Sequence, residues 1–131
     1  MQKWILAVSL NLSFGWLAQA DDWPQWLGPE RDSVWREDGI VEAIPPEGLP
    51  IKWRQPVELG YSGPAVANGR VYVMDYQRRD GQLVNSPGGT TKLNGNERVL
   101  CFDQKTGEPL WEYSYDQPYS ISYAGGPRCT P

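Results

Sequence analysis

Hydrophobic residues in this chain come in short runs punctuated by Gly, Pro and Asn, with no sustained helical spacing. Ala65-Val66-Ala67 and Val71-Tyr72-Val73-Met74 flank Asn68-Gly69. Asn-Gly between two apolar runs predicts a two-residue β-hairpin, because both central residues of a type I′ turn need positive φ. Val99-Leu100-Cys101-Phe102 and Leu110-Trp111-Glu112-Tyr113 flank a second turn, Asp103 to Pro109, centred on Lys105-Thr106-Gly107. Gly107 and Pro109 would break a helix there, so this too reads as a hairpin, with a longer loop. Strands are therefore expected near 64–67, 70–76, 98–103 and 109–115, an antiparallel meander of four. Ile51-Lys52-Trp53-Arg54 predicts a short strand ahead of them, and Ile121 to Tyr123 another behind.

The remaining segments are polar. Asp21 to Arg36 holds Trp23, Trp26 and Trp35 in a Pro- and Gly-bearing stretch without a period of two or 3.6. Irregular coil pinned by buried indoles is the expectation, since large aromatics are mostly buried. An aromatic platform for a sugar or base would instead need exposed rings. Residues 37–50, with Pro45, Pro46 and Pro50, continue as an extended linker. Gln77 to Glu97 reads as a polar surface insertion. It lacks the Gly-Lys-Ser/Thr ending of a phosphate-binding loop. Asp80 and Asn94 to Glu97 do not match the spacing of a helix-flanked calcium loop.

Composition narrows the function classes. Lys3, the mostly apolar Trp4 to Leu17 and the Ala18-Gln19-Ala20 site resemble a secretory signal peptide over 1–20, cleaved before Asp21. Asn11 interrupts the apolar run, which is shorter than the roughly 20 residues that span a bilayer. A periplasmic or secreted product without a stable membrane anchor is expected. Removing Lys3 with that leader leaves 12 − 1 = 11 basic and 16 acidic side chains, a net charge of −5. An acidic chain without a Lys/Arg cluster argues against nucleic acid as a partner, and Arg78-Arg79 is an isolated pair. The chain contains no histidine, which removes Ser-His-Asp and Cys-His nucleophilic machinery and the usual His-containing zinc sites. Its two cysteines, Cys101 and Cys129, form a candidate disulfide in an exported protein. Alternatively, Cys101 is a small apolar residue in a buried strand.

The four central runs are apolar on both faces, which requires cover on both sides of the sheet. A radial stack of sheets, a β-propeller, meets that requirement. Internal echoes support repetition. Trp53 in Ile-Lys-Trp-Arg resembles Trp111 in Pro-Leu-Trp-Glu, and Gly63-Pro64-Ala65-Val66 would be echoed by Cys129-Thr130-Pro131 if an apolar pair followed. The offset from Pro64 to Pro131 is 131 − 64 = 67 residues, long for a blade of ~40–45 unless much of 77–97 is an insertion.

Asp103-Gln104-Lys105-Thr106-Gly107-Glu108-Pro109-Leu110-Trp111 resembles the tryptophan-docking repeat of the pyrroloquinoline-quinone (PQQ) family of eight-bladed propellers. Ser62 to Tyr72 resembles the first hairpin of the same blade, and Trp23-Pro24-Gln25-Trp26-Leu27-Gly28-Pro29 the entry segment of exported members. The resemblance implies that Trp111 stands as a staple between neighbouring blades, its N–H on a backbone group, with Thr106-Gly107 supplying the turn. It implies that Ile51 to Arg54 closes the ring against the last blade. The expected architecture is all-β: a signal peptide over 1–20, an entry segment and linker over 21–50, then over 51–131 one antiparallel four-stranded propeller blade and the start of a second. Such an incomplete β-propeller needs its missing blades or a protein partner. Structural roles fall to Trp53, Asn68, Gly69, Asp103, Thr106, Gly107 and Trp111. A non-catalytic binding or assembly scaffold with no cofactor in this chain is the expected function. The alternative is the N-terminal part of a PQQ- and calcium-dependent alcohol or sugar dehydrogenase. That chemistry commonly uses adjacent cysteines, and the chain has no Cys-Cys pair and no mapped catalytic residue.

Overall fold

A computed structural model describes residues 21–85, 87–123 and 125–131. The expected leader at 1–20 lies outside them. The described chain is all-β, an antiparallel sheet of five strands: β1 (Ala65–Ala67), β2 (Arg70–Gly81), β3 (Thr91–Asp103), β4 (Pro109–Asp116) and β5 (Tyr119–Ile121). The path β1-β2-β3-β4 is the meander expected from the apolar runs, and β5 pairs with the start of β3. Asn68 (φ 53°) and Gly69 (φ 72°) both take the left-handed conformation that the first hairpin demands.

Register sorts the side chains onto two faces. On one, Tyr72, Cys101 and Trp111 stand opposite one another across β2, β3 and β4, followed by Met74, Val99 and Tyr113, then Tyr76, Glu97 and Tyr115. On the other, Val71 faces Phe102 and Val73 faces Leu100. That second face carries the main core: Val71, Leu100 and Phe102 are buried, with Trp53, Val66 and Val73 packed against them.

Three elements differ from expectation. Residues 51–54 form no strand. Among the described residues they pair with no strand, and Trp53 is instead drawn onto the core face beside Phe102, ring centroids 6.3 Å apart. The 77–97 stretch is largely ladder, because β2 runs on to Gly81 and β3 begins at Thr91, leaving 82–90 as the connection. A register shift between Arg78 and Asp80 lets the long hairpin continue, and Leu93, 1% exposed, anchors its far end. Gly95 sits in β3 because an added Cβ there would lie 2.8 Å from Tyr76 Cζ. The last strand falls at Tyr119–Ile121, two residues earlier than expected at its start, where β3 offers Thr91 to Leu93 as partners.

The entry segment is irregular, as its pattern implies, but only Trp23 among its three indoles is even partly buried; Trp26 and Trp35 are exposed. Trp23 is held by two backbone hydrogen bonds, its N–H to Val66 O and the Val66 N–H to its own carbonyl, both 2.9 Å. The thiols of Cys101 and Cys129 are free, so the candidate disulfide is not formed. Cys101 is fully buried in the middle of β3, and that burial pushes its thiol pKa up. Among the described residues, no helix is long and apolar enough to cross a membrane.

Candidate functional site

The most developed local construction is the turn between β3 and β4. Asp103 Oδ1 accepts the N–H groups of Lys105 (2.9 Å) and Thr106 (2.8 Å) and the Thr106 hydroxyl (3.1 Å). These donors, the Thr106 amide foremost, hold the Asp103 carboxyl below its usual range. Gly107 then takes φ 76° and returns its N–H to Asp103 O at 2.9 Å. This closed loop presents the bare Cα of Gly107 to the indole of Trp53: an added Cβ would lie 2.6 Å from Trp53 Cδ2. Trp53 Nε1–H donates to Gln104 O at 3.0 Å, and Gln55 Nε2 donates to Gly107 O at 2.9 Å. Asp103, Thr106, Gly107 and Trp53 are thus brought into one unit, although Trp53 lies some fifty positions upstream (|i−j| = 51 to Gln104). Asn68 and Gly69 are tied to the same end, since Gln104 N–H donates to Gly69 O at 3.0 Å.

Trp111 does not join that unit. Its side chain points to the opposite face, against Tyr72 with centroids 6.0 Å apart, and is 45% exposed. Tyr113, two residues on, is also exposed. The sheet therefore has one face covered by residues 53–58 and another on which β4 leaves an aromatic strip open.

Two ionic clusters went unnoticed in the sequence. On the covered face, Asp75 is 1% exposed and bound bidentately by Arg98, Nε to Oδ1 at 2.8 Å and Nη2 to Oδ2 at 2.6 Å. The Glu58 N–H also donates to Asp75 Oδ2 at 2.7 Å, and this carboxylate raises the Arg98 pKa further. On the open face, both carboxylate oxygens of Glu97 accept phenols, from Tyr115 and from Tyr119. The Glu97 hydrogen bond pushes the Tyr115 phenol up to about 12, and burial followed by Glu97 raises Tyr119 as well. Tyr119 stacks on the buried Tyr76, centroids 4.4 Å apart, whose hydroxyl has no hydrogen-bond partner. Each cluster joins residues more than 15 positions apart, so only the β-register brings them together.

The oxygens of Asp75 and Glu97 are engaged by internal donors, and Glu97, Tyr115 and Tyr119 line a cleft of about 410 Å³. Among the described residues, no group of three or more Asp, Glu, Cys or His side chains could hold a metal ion. No family model, curated protein or solved structure matches this chain.

Proposed function

We propose that this chain builds the first blade, and the beginning of the second, of an exported PQQ-like β-propeller that acts as a non-catalytic binding or assembly scaffold. The observation that carries the reading is the seat of Trp53. Within this chain its N–H rests on a backbone group, Gln104 O, as the resemblance implies for the repeat's indole, and its ring lies against Gly107. Trp111 follows Gly107 at the repeat spacing and presents its indole on the opposite face, still 45% exposed. In a ring, Trp111 takes the place on the next sheet's turn that Trp53 takes on this one. The internal engagement of Asp75 and Glu97 supports a structural rather than a catalytic role for this blade.

The deciding experiment uses the full-length product of the gene, including whatever is encoded beyond Pro131. It is titrated with PQQ and calcium and assayed for dye-linked alcohol oxidation. Absence of saturable binding is expected of the scaffold. Saturable binding with turnover would overturn it in favour of a quinoprotein dehydrogenase.

A further inference from the structure

The free edge of the first strand is not empty, and what lies on it has a meaning in a ring. β1 pairs with β2 on one side only, through Ala65, Val66 and Ala67. The opposite side of Val66, both N–H and C=O, is taken by Trp23 in an antiparallel bridge. One residue before it, the Asp22 carboxylate accepts the Asn68 N–H at 3.0 and 3.2 Å. One turn further on, Trp26 leans on the chain just ahead of β1: an added Cβ at Gly63 would lie 3.3 Å from its ring. Gln25 and Trp26 also line one cleft of about 400 Å³ with Arg128, Cys129 and Thr130. The same edge receives the end of the described chain, with Tyr61 N–H donating to Pro127 O at 2.9 Å.

In a propeller the four strands of a blade run outward from a central channel. With β4 outermost, β1 is the strand beside the axis, and its unpaired side faces the channel. In the proposed ring, Cys129-Thr130-Pro131, which resembles the residues that lead into β1, would open the inner strand of the next blade. Asp22 to Trp26 therefore lies where two inner strands meet the axis. On this basis, which rests on the ring architecture proposed above, we infer that Asp22–Trp26 is an axial plug: Trp23 seals the channel side of the first blade and Trp26 projects between the first and second. The 67% exposure of Trp26 is then surface that inner strands across the channel cover. A plug so placed occupies channel space beside the first blade and consumes the backbone groups with which that blade could bind an axial ligand. Ligands of the scaffold would bind at the rim or the outer faces.

The test uses the full-length product with Trp26 replaced by p-benzoylphenylalanine, irradiated and mapped by mass spectrometry, alongside small-angle scattering of the same sample. Adducts on first strands of blades beyond the second, with a compact scattering profile, are expected. Adducts confined to 60–64 and 128–131, or lying on the ring exterior, would overturn the plug while a compact profile leaves the ring standing. A profile too extended for a closed ring would overturn the ring, and the plug with it. Hydrogen exchange on the unsubstituted protein gives a check independent of the label. The Val66 amide should exchange at least tenfold more slowly than in a variant whose mature chain begins at Glu37, and equal rates would show that the strap is not seated.

Discussion

At the scale of single residues, the turn at Asp103–Gly107 is held by interactions that substitution can separate. Trp53→Phe keeps a ring against Gly107 and removes the Nε1–H donor to Gln104 O. A net loss of about 1–2 kcal/mol is expected, with the Gln104 carbonyl left short of a partner. Gly107→Ala meets both the left-handed φ of 76° and the indole 2.6 Å from the new Cβ. It should cost about 1–3 kcal/mol from strain alone. Because both changes act on one contact, urea titrations of the two single variants and the double variant should show a clearly non-additive sum. Additivity would mean the indole does not rest on the turn. Asp103 supplies a pH signature at the same place. Its carboxyl is lowered in the folded state, so its contribution is complete above the ordinary value of 3.8 and fades as pH falls through the lower folded value. The stability difference between the parent and Asp103→Asn should accordingly be present at neutral pH and disappear in acid. A difference that persists unchanged in strong acid would contradict the carboxylate's role.

At the scale of elements, what could be read in advance was whatever local chemistry dictates. Asn68-Gly69 names its own turn, because few other pairs tolerate two successive positive φ values. The apolar runs on either side of it and of Gly107 mark strand centres for the same local reason. Strand ends were hidden where pairing rather than composition extends the ladder. Residues 77–81 and 91–97 are polar and glycine-bearing, yet β2 and β3 pair through them because each already has its partner alongside. Leu93 was the one apolar signal in that stretch, and it is among the most buried side chains of the described chain. Leu93→Ala should therefore destabilise by about 2–5 kcal/mol, as a core truncation does. Shortening the connection within 82–90 by two residues should change stability by less than about 1 kcal/mol, since loop closure depends weakly on length. Thermal denaturation of both variants separates the alternatives: a mild effect at Leu93 would mean that the hairpin extension is not part of the folded core. Ile51–Arg54 failed as a strand for the complementary reason. Its alternation suits a ladder, but within the described chain no neighbouring edge is there to pair with it. Trp53 could be recognised as an echo of Trp111, but its seat on Gly107 depends on a contact between residues some fifty positions apart.

At the scale of the whole molecule, the two faces of the sheet are unequally finished. One is closed by Trp53 to Glu58 over Val71, Leu100 and Phe102. The other carries Trp111 and Tyr113 in the open beside the edge of β4. Burying about half of an indole and a phenol ring is worth on the order of 1–2 kcal/mol each at roughly 25 cal/mol per Å². That is a sizeable share of what a domain of this size holds in reserve, typically about 5–15 kcal/mol. An open aromatic face next to an unpaired strand edge also invites association between copies. Residues 21–131 alone should accordingly self-associate as concentration rises and unfold over a broad transition. On the ring proposed above, a product carrying the further blades should stay monodisperse and unfold cooperatively. Trp111→Ala then separates the two species. It should reduce association of the short chain by exposing less apolar surface, and, on the proposed ring, destabilise the longer product by about 3–5 kcal/mol, the cost of removing a docked indole. Light scattering behind size exclusion reads the first effect and calorimetry the second. A short chain that is monomeric and melts sharply would mean that the sheet is complete as it stands, and that Trp111 has no neighbouring blade to staple.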